Sequence, residues 1–373
     1  MEKAYWLWLY GILGPCNAKF VTLLTEFETA ERIYQARRAP ELLRRLSPGE
    51  RELIQKNSIE EAGEQAERCR EAGIAIVPYG AAHYPLRLHK TKIPPMMLFV
   101  TGHAGALEPV FAVAGVGARF STEYGRAAVQ HICNPLARAG ITLVSGMALG
   151  IDAEVHRAAM KGGGPTVAVL GTAVDITYPV AHRELRADIE KHGAVVSEYP
   201  PGTEGHRAMF AQRNRIISGL AQAVIIFEAA RKSGTMITAS WAQEDGRKVF
   251  AVPGGILSPH SEGTNMLIKQ GIAPALGAQD ILDALNIKME QPETPEQLAL
   301  PLQRGITELT ELQRRIYNAL GQGEQLVDDL AADVGLAPYE ILAELTELEM
   351  ENLVVSHGGS RYARSPDAPG GDI

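Results

Sequence analysis

Residues 210–239 read FAQRNRIISGLAQAVIIFEAARKSGTMITA, an apolar run with a helical pattern on either side. Its apolar run 223–227 predicts a strand that is buried on both faces, because no polar residue alternates with the apolar ones. The loop after it contains Lys232, Ser233, Gly234 and Thr235 and opens a predicted helix over 235–245. Since the first N–H groups of a helix are unpaired and its dipole favours negative charge, this arrangement predicts a phosphate site. Hydroxyls before a helix are also ordinary N-caps, so a purely structural role stays open at this point.

Further apolar runs on both sides of this stretch predict a sheet. They lie at 111–114, 141–145, 166–170, 194–197 and 248–252, with shorter runs at 74–77 and 97–100. Helical patterns separate them at 122–138, 152–161, 182–191 and 213–221. Strands that alternate with helices indicate an α/β fold, here a Rossmann-like, doubly wound and mostly parallel sheet. Ligands of such sheets bind at the carboxyl ends of the strands.

Length and composition indicate a globular chain of several domains. The 373 residues are 46% hydrophobic, which is enough for two or three cores. The three cysteines, Cys16, Cys69 and Cys133, lack the spacing of a disulfide framework or of a zinc site. We therefore expect a cytoplasmic protein without a bound metal. No apolar span reaches the roughly 18 residues of a membrane helix, so we also expect no membrane segment.

Composition changes along the chain predict the domain boundaries. Residues 1–72 show helical periodicity and predict a helical module, followed by the α/β domain over 73–285. A polar, Pro-containing stretch predicts a linker over 286–302. Residues 303–365 give three helical patterns and a hairpin that turns at Gly358 and Gly359, the outline of a winged helix. Residues 366–373 are then a loose tail.

The net charge of −8 is unevenly distributed. Between residues 110 and 280 there are 16 Lys and Arg against 14 Asp and Glu, whereas residues 286–373 contain 6 against 16. The acidity therefore belongs to the C-terminal part. Because an acidic surface repels phosphates, we expect the C-terminal module to contact proteins or to compete as a charge with a phosphate ligand rather than to hold phosphates.

The first strand of the central sheet is followed by a Gly-rich turn, GVGARFST at 115–122. A dinucleotide fingerprint would need a glycine in place of Phe120 and an acidic residue at the end of the next strand, which ends instead in Ser145 and Gly146. A nicotinamide cofactor is therefore not predicted. We interpret Gly117 as part of a backbone cradle and Arg119 as a phosphate clamp, with tight strand-to-helix packing as the alternative role of the glycines.

Polar residues after the other strands allow more than one role. His156 has no partner at the spacing of a metal site, so we interpret it as structural. Asp175 and Tyr178, in the loop after the third strand, are interpreted as holding that loop rather than contacting ligand.

An aromatic residue and two arginines lie close together after the fourth strand. Phe210 precedes Arg213, Asn214 and Arg215, which lie at the predicted start of a helix. The arginines can neutralise backbone phosphates while the ring stacks on a base. Phe210 could equally pack in the core.

Eight segments in order carry a family resemblance: GVGARFSTEYG, VSGMALGID, VAVLGTAVDITYP, SEYPPGT, FAQRNRIISGLA, EAARKSGTMITA, VFAVPGG and SEGTNMLI. Together they resemble the DprA/Smf DNA-processing proteins over nearly the whole α/β domain. The flanking parts are similar to the SAM-like helical N-terminus and the C-terminal winged helix of many members. Ala118 departs from the family, which usually has serine there, and this removes a hydroxyl donor but leaves the backbone cradle.

The resemblance implies a protein that binds single-stranded DNA, protects incoming DNA and loads the RecA recombinase in natural transformation and recombination. It also implies a homodimer through the Rossmann-like domain, and we expect no catalytic step and no cofactor. Carried over by position, the DNA-binding pocket comprises Gly117, Arg119, Phe210, Arg213, Asn214, Arg215, Lys232, Ser233, Gly234 and Thr235.

An enzyme of a different class stays open as the alternative. The fold resembles that of the lysine-decarboxylase-like phosphoribohydrolases, which cleave nucleoside monophosphates with a PGGxGT segment and a following glutamate. Here residues 253–258 read PGGILS, so the motif is broken. Glu228 and Glu262 are the carboxylates that such a reaction would need.

Overall fold

Nine strands form the central sheet within the residues that the structure, a computed structural model, describes: 2–287, 309–350, 353–357 and 360–365. These strands are β1 (Ala75–Pro78), β2 (Met97–Gly102), β3 (Ala112–Val116), β4 (Thr142–Ser145), β5 (Thr166–Val169), β6 (Ala194–Ser197), β7 (Ala223–Ile226), β8 (Lys248–Ala251) and β9 (Ala273–Pro274). They belong to the first of two units, Met1–Met289 and Glu290–Ile373, each described by itself.

The order of the strands is β1-β2-β6-β5-β4-β3-β7-β8-β9. All pairs from β6 to β9 are parallel, and only β1 with β2 and β2 with β6 are antiparallel in the described sheet. The prediction of a doubly wound, mostly parallel sheet is therefore confirmed. The chain runs from β3 outward to β6 and then returns to the other side of β3 as β7. The carboxyl ends of β3 and β7 thus border the topological switch point, where such sheets bind ligands.

Helices cover both faces of the sheet. They are α1 (Glu2–Leu13), α2 (Lys19–Phe27), α3 (Ala30–Gln35), α4 (Pro40–Arg45), α5 (Pro48–Lys56), α6 (Ile59–Glu71), α7 (Leu86–His89), α8 (Glu123–Arg138), α9 (Ile151–Lys161), α10 (Arg183–His192), α11 (Arg207–Leu220), α12 (Gly234–Glu244), α13 (Glu262–Lys269) and α14 (Ala278–Leu285). Ile217 and Ala239 attach α11 and α12 to one face. Val129 and Val155 attach α8 and α9 to the other. Because the strands are buried on both sides, their apolar runs are continuous, as the sequence predicts.

Helix α11 begins earlier than predicted. The sequence places a helix start near Arg213, whereas α11 begins at Arg207 and the segment 213–215 lies in its middle. Residues 207–212 contain no Gly or Pro, so the helix can extend back to the loop around Gly205 and His206. As a result Phe210 lies inside the helix rather than before it.

Helices α1 to α6 share a core with the antiparallel edge of the sheet. Trp6, Trp8 and Phe20 are buried together with Met97 and Phe99 of β2. The predicted helical module therefore packs on the sheet through large apolar side chains, whose burial stabilises a unit of this kind by about 1.5–3 kcal/mol each.

The second unit contains three helices and a small sheet in its described residues. The elements are α15 (Glu311–Ala319), α16 (Val327–Val334), α17 (Pro338–Met350), β10 (Gln325–Leu326), β11 (Val354–His357) and β12 (Arg361–Arg364), with the strand order β10-β12-β11. Ile316, Leu330, Ile341 and Leu345 are fully buried in its own core. The winged-helix prediction is confirmed. Most of the predicted linker, the turn at 358–359 and the tail lie outside the described residues.

Among the helices of the described residues, none has the length and apolar character needed to cross a bilayer. All three cysteines are free thiols, and Cys69 and Cys133 are buried.

A buried ion pair ties α11 to the end of β6. Arg215 is 2% exposed and donates to the Glu198 carboxylate at 2.5 Å. It also donates to the carbonyl of Ile93 at 2.8 Å, and its Nε lies 3.4 Å from the Cys16 Sγ. Burial acts to lower the pKa of Arg215, but the Glu198 carboxylate and Cys16 together outweigh it and the pKa is raised. Arg215 therefore stays charged in the interior and connects the helical module, the sheet and α11.

We expect Arg215→Met to lower the free energy of unfolding by about 3–5 kcal/mol, because Glu198 would remain buried without its counter-charge. Arg215→Met/Glu198→Leu should cost clearly less, since both charges are removed together. Urea unfolding followed by circular dichroism measures both. Lys56→Met, which breaks an exposed pair with Glu52, is the control and should change stability little. A single variant as stable as the wild type would contradict this role of Arg215.

Candidate functional site

The loops after β3 and β7 face each other at the switch point and are joined by hydrogen bonds. The Thr235 hydroxyl, in the first turn of α12, donates to the Gly117 carbonyl at 3.1 Å. The Asn214 side chain donates to the Gly234 carbonyl at 3.3 Å. Helix α11 and the two loops are thereby fixed to one another, and the sequence-predicted residues of these three segments come together at one edge of the sheet.

The N-terminus of α12 is open to solvent. Ser233 is its N-cap residue, yet the Ser233 side chain makes no capping bond to the helix backbone. A Cβ atom at Gly234 would meet no other atom within 4 Å, so the first N–H groups of the helix are accessible. The preceding Arg231 and Lys232 are exposed, and within the described residues neither makes an ion pair. An accessible helix N-terminus beside unpaired cations favours an anion.

An aromatic wall, formed by the rings of Phe210 and Tyr178, lies beside this anion site. Phe210 is partly buried, and its ring packs so closely on Gly171 that a Cβ there would lie 2.6 Å from it. The guanidinium carbon of the exposed Arg119 lies 5.9 Å from the centroid of the Phe210 ring, within cation–π range. The Tyr178 ring lies 5.1 Å from the same ring and is half exposed. Arg119, Phe210 and Tyr178 thus form one surface.

The sequence interpretation assigns both Asp175 and Tyr178 to holding the loop after β5, and the structure gives the two residues different contacts. Asp175 does hold the loop, since its carboxylate accepts from the Gly202 N–H at 2.9 Å. Tyr178, by contrast, contributes its ring to the aromatic wall, so its position is not explained by a role within the loop alone.

Arg213 is placed differently from the sequence prediction. It is 6% exposed and donates to the carbonyl of Gly146 at 2.7 Å and to that of Val169. Burial lowers the pKa of Arg213, an effect that the nearby Asp152 carboxylate opposes. A Cβ at Gly146 would lie 2.5 Å from the guanidinium group, so the loop after β4 closes directly over it. Arg213 therefore supports the loops after β4 and β5 and does not present its charge to a phosphate.

Arg215 also does not reach the site surface, because its guanidinium group is engaged by Glu198 in the interior. The prediction that Arg215 contacts phosphate is not supported by this position.

Two other predicted residues, Thr235 and Gly117, position the backbone of the site. Thr235 uses its hydroxyl on Gly117, and Gly117 allows the close approach of α9, since a Cβ there would lie 2.6 Å from Ile151.

The predicted pocket does not include two cations that lie near the site. Arg207 is exposed and lies three residues before Phe210, on the same side of α11. Arg231 is exposed next to Lys232. Arg207 could have been found from the sequence only with the helix start placed correctly.

A buried histidine links α9 to β5. His156 is fully buried, and its Nδ1 lies 2.7 Å from the Thr166 hydroxyl, which itself donates to the Leu143 carbonyl. The hydroxyl proton is therefore used, so Nδ1–H of His156 is the donor to the Thr166 hydroxyl. Burial, together with nearby His182 and Arg213, lowers the pKa of His156 to about 3. The interpretation of His156 as structural agrees with this geometry.

Glu228, just after β7, is one of the carboxylates that the alternative enzyme would need. Glu228 is buried, and its carboxylate accepts from the backbone N–H of Thr122 at 3.0 Å and from the Thr122 hydroxyl. Across the part of the chain that the structure describes, no group of three or more His, Cys, Asp or Glu residues could hold a metal ion.

The family model of DNA recombination-mediator protein A matches residues 75–286, which include the whole site. The chain belongs to this family. A second family model, the DprA winged helix domain, matches residues 300–360. The resemblance inferred from the eight sequence segments is thereby confirmed.

Known family members are similar over most of their length. Protein Smf of Synechocystis is 30% identical, with 97% of this chain and 99% of that protein aligned. DNA processing protein DprA of Bacillus subtilis is 37% identical, with 64% of this chain and 82% of the Bacillus protein aligned.

Two solved structures of family members also match. The structure of DprA from Streptococcus pneumoniae has a TM-score of 0.66 at 30% identity. The match covers 74% of this chain and 96% of the Streptococcus chain. That of DNA processing protein A from Helicobacter pylori has a TM-score of 0.52 at 28% identity, with 57% and 95% covered, and concerns that protein's single-stranded DNA binding mode.

The buried neutral His156 predicts a pH-dependent stability. In the unfolded chain its pKa is about 6.5, so as the pH falls below this value the unfolded state binds a proton that the folded state, with a pKa of about 3, does not. Between pH 7 and pH 5 the free energy of unfolding should therefore fall by roughly 2 kcal/mol through this group.

Urea unfolding at both pH values tests this, with His156→Asn and His83→Asn as a matched pair. An asparagine at position 156 retains an N–H donor for Thr166 and does not titrate, so this part of the pH dependence should disappear. His83 is exposed, and its variant should behave as the wild type. Equal pH dependence in all three proteins would show that His156 is accessible to protons in the folded state.

Proposed function

We propose that this protein binds single-stranded DNA at the carboxyl edge of its sheet, protects it and loads the RecA recombinase onto it. The observation that carries the proposal is the convergence of an open helix N-terminus, unpaired cations and the aromatic pair of Phe210 and Tyr178 at the carboxyl edge of the sheet. The family description as a recombination mediator and the single-stranded DNA binding mode of the Helicobacter pylori relative support it.

Phosphate binding is assigned to the exposed cations and to backbone N–H groups. Arg119 and Lys232 lie on the two loops that border the switch point, and Arg207 and Arg231 extend the cationic surface. Each phosphate neutralised by such a side chain releases counterions, which makes the affinity depend on salt. The N–H groups at the start of α12 near Gly234 add fixed donors.

Base binding is assigned to Phe210 and Tyr178. Both rings are accessible beside Arg119, and base stacking on an aromatic side chain contributes about 1–3 kcal/mol per base. The bases of a duplex are already stacked on each other, so they cannot reach this wall. Selectivity for a single strand follows from this difference.

Other residues of the predicted pocket serve to position the contacts. In the proposal Arg213, Asn214 and Thr235 hold the loops by their hydrogen bonds, and the Ser233 hydroxyl, which makes no capping bond, is available to the ligand at the start of α12. Arg215 stabilises α11 through its buried ion pair with Glu198. These roles need no covalent chemistry, and the buried, hydrogen-bonded Glu228 does not favour the alternative of a nucleotide hydrolase.

The partners and location belong to the same proposal. We place the protein in the cytoplasm, as a homodimer formed through the α/β domain that transfers bound DNA to RecA. The winged-helix unit has acidic residues on α16 and α17, including Asp328, Asp329 and Glu340. We assign it to protein contacts, because this charge opposes DNA binding.

We expect Arg119→Ala/Lys232→Ala to lower the affinity for labelled oligo-dT by tenfold or more at about 0.1 M salt. The slope of log affinity against log salt should decrease by about 1.4, because about two phosphate contacts are lost. Fluorescence anisotropy over a salt series, with oligo-dT and the corresponding duplex, measures both quantities. The wild type should bind the duplex more weakly than the single strand.

Arg138→Ala is the matched control, since Arg138 is equally exposed but lies in the last turn of α8, at the opposite edge of the sheet. It should bind as the wild type. Equal losses in both variants would indicate a diffuse charge effect, and equal affinity for duplex and single strand would exclude the aromatic wall as a base platform. Recombinase loading is tested with single strands coated by a single-strand-binding protein, where the wild type and not the double variant should accelerate RecA assembly.

Truncation after Glu296 should leave the affinity for oligo-dT within about twofold of the wild type, because the acidic unit does not hold phosphates in the proposal. The first unit has its own cores, so the truncated chain retains the site. The same anisotropy titration measures this. A large loss of affinity would assign DNA contacts to the winged-helix unit.

A further inference from the structure

A group of apolar side chains is exposed beside the proposed DNA site, on the loop after β3, the first turn of α8 and the loop after β8. The exposed fractions are 84% for Phe120, 53% for Tyr124, 90% for Ile256 and 93% for Leu257. We refer to these four residues as the apolar extension. The proposed contacts with phosphates and bases do not use them, and such a cluster on a protein surface indicates a binding partner.

Hydrogen bonds join the two segments that carry the apolar extension and anchor the loop after β8. The Tyr124 hydroxyl donates to the Pro253 carbonyl at 2.6 Å. The Asn265 side chain donates to the Gly254 carbonyl at 3.0 Å and accepts from the Gly254 N–H at 3.2 Å. The apolar residues are therefore presented by anchored loops, and their exposure belongs to the folded structure.

The apolar extension continues the site along the edge of the sheet. The carboxyl ends of β5, β4, β3, β7 and β8 follow one another in this order. The aromatic wall lies at the end of β5, Arg119 follows β3, and Ile256 and Leu257 follow β8. At roughly 4.8 Å between neighbouring strands, this row is about 19 Å long, which is long enough for several nucleotides.

The alternation of side chains along this row favours one kind of occupant. Flat aromatic surface lies at one end, unpaired cations lie in the middle, and an exposed ring with two aliphatic side chains lies at the other. A single strand presents the same alternation, since a charged backbone carries flat, apolar bases. Phe120 follows Arg119 directly in the chain, so a phosphate at Arg119 places the adjoining base within reach of the Phe120 ring.

We propose that single-stranded DNA bound at the site continues across the apolar extension, with a base stacked on Phe120 and the following bases covering Ile256 and Leu257. This inference rests on the proposed function and adds a second base platform, on the β8 side of the cations. Two platforms that flank one cationic centre also predict that affinity rises with oligonucleotide length until both are occupied.

Phe120→Ala and Phe120→Trp test this with oligo-dT of about six and about twenty nucleotides. The alanine variant should bind the long oligonucleotide about tenfold more weakly, a loss within the range for one stacked base, and the short one within twofold of the wild type. The tryptophan variant should restore the affinity. The salt dependence should stay unchanged, because no phosphate contact is removed.

Ile256→Ser/Leu257→Ser should reduce only the affinity for the long oligonucleotide. A direct readout is photocrosslinking with 5-iodouracil placed along the long strand, which should attach to Phe120 in the wild type. Since Phe120 is exposed, the unfolding midpoints of its variants should match that of the wild type, so a loss of binding is not a loss of folding.

The outcomes separate this inference from the proposed function. If Phe120→Ala binds the long oligonucleotide as the wild type while Arg119→Ala/Lys232→Ala binds both lengths weakly, the DNA site stands and the apolar extension is not part of it. If Phe120→Ala instead sediments at a lower mass and keeps its affinity per protomer, the extension is a contact between two copies of the chain and the inference is overturned. If the wild type binds neither length, both proposals fail.

Discussion

The carboxyl edge of the sheet depends on two guanidinium groups buried in one helix. Arg213 donates to the carbonyls of Gly146 and Val169, and Arg215 pairs with Glu198. A buried cation that loses its partners costs several kcal/mol, so the ends of three neighbouring strands must keep these acceptors in place for the chain to stay folded. Helix α11 thereby fixes these loops through its buried side, while its solvent-facing side stays available for a ligand.

Burial decides what each cation of this region does. Arg213 and Arg215 are charged but enclosed, and their hydrogen bonds organise backbone. Arg119 and Lys232 lie on loops in solvent and have no carboxylate partner within the described residues. The acidic net charge of the chain therefore says little about this edge, where the local balance of accessible charge is positive.

Much of the fold could be read from the sequence because parallel strands buried on both faces leave continuous apolar runs. The loops at their carboxyl ends then define the site by topology alone. The roles of individual residues could not be read in the same way. Arg215 and Cys16 are 199 residues apart, and Arg213 meets a carbonyl 67 residues away. Periodicity carries no information on such contacts, so arginines that support the loops were grouped with those that face solvent.

The core shared by the N-terminal helices and β2 bears on how this chain can have evolved. Trp6, Trp8 and Phe20 pack with Met97 and Phe99, which lie beyond the boundary that composition suggests. These helices are therefore not an exchangeable cassette, since a recombination event near residue 72 would join two halves of a core with unmatched shapes. The winged-helix unit encloses its own core, whose buried residues come from one segment between Leu309 and Val354, so they are inherited together.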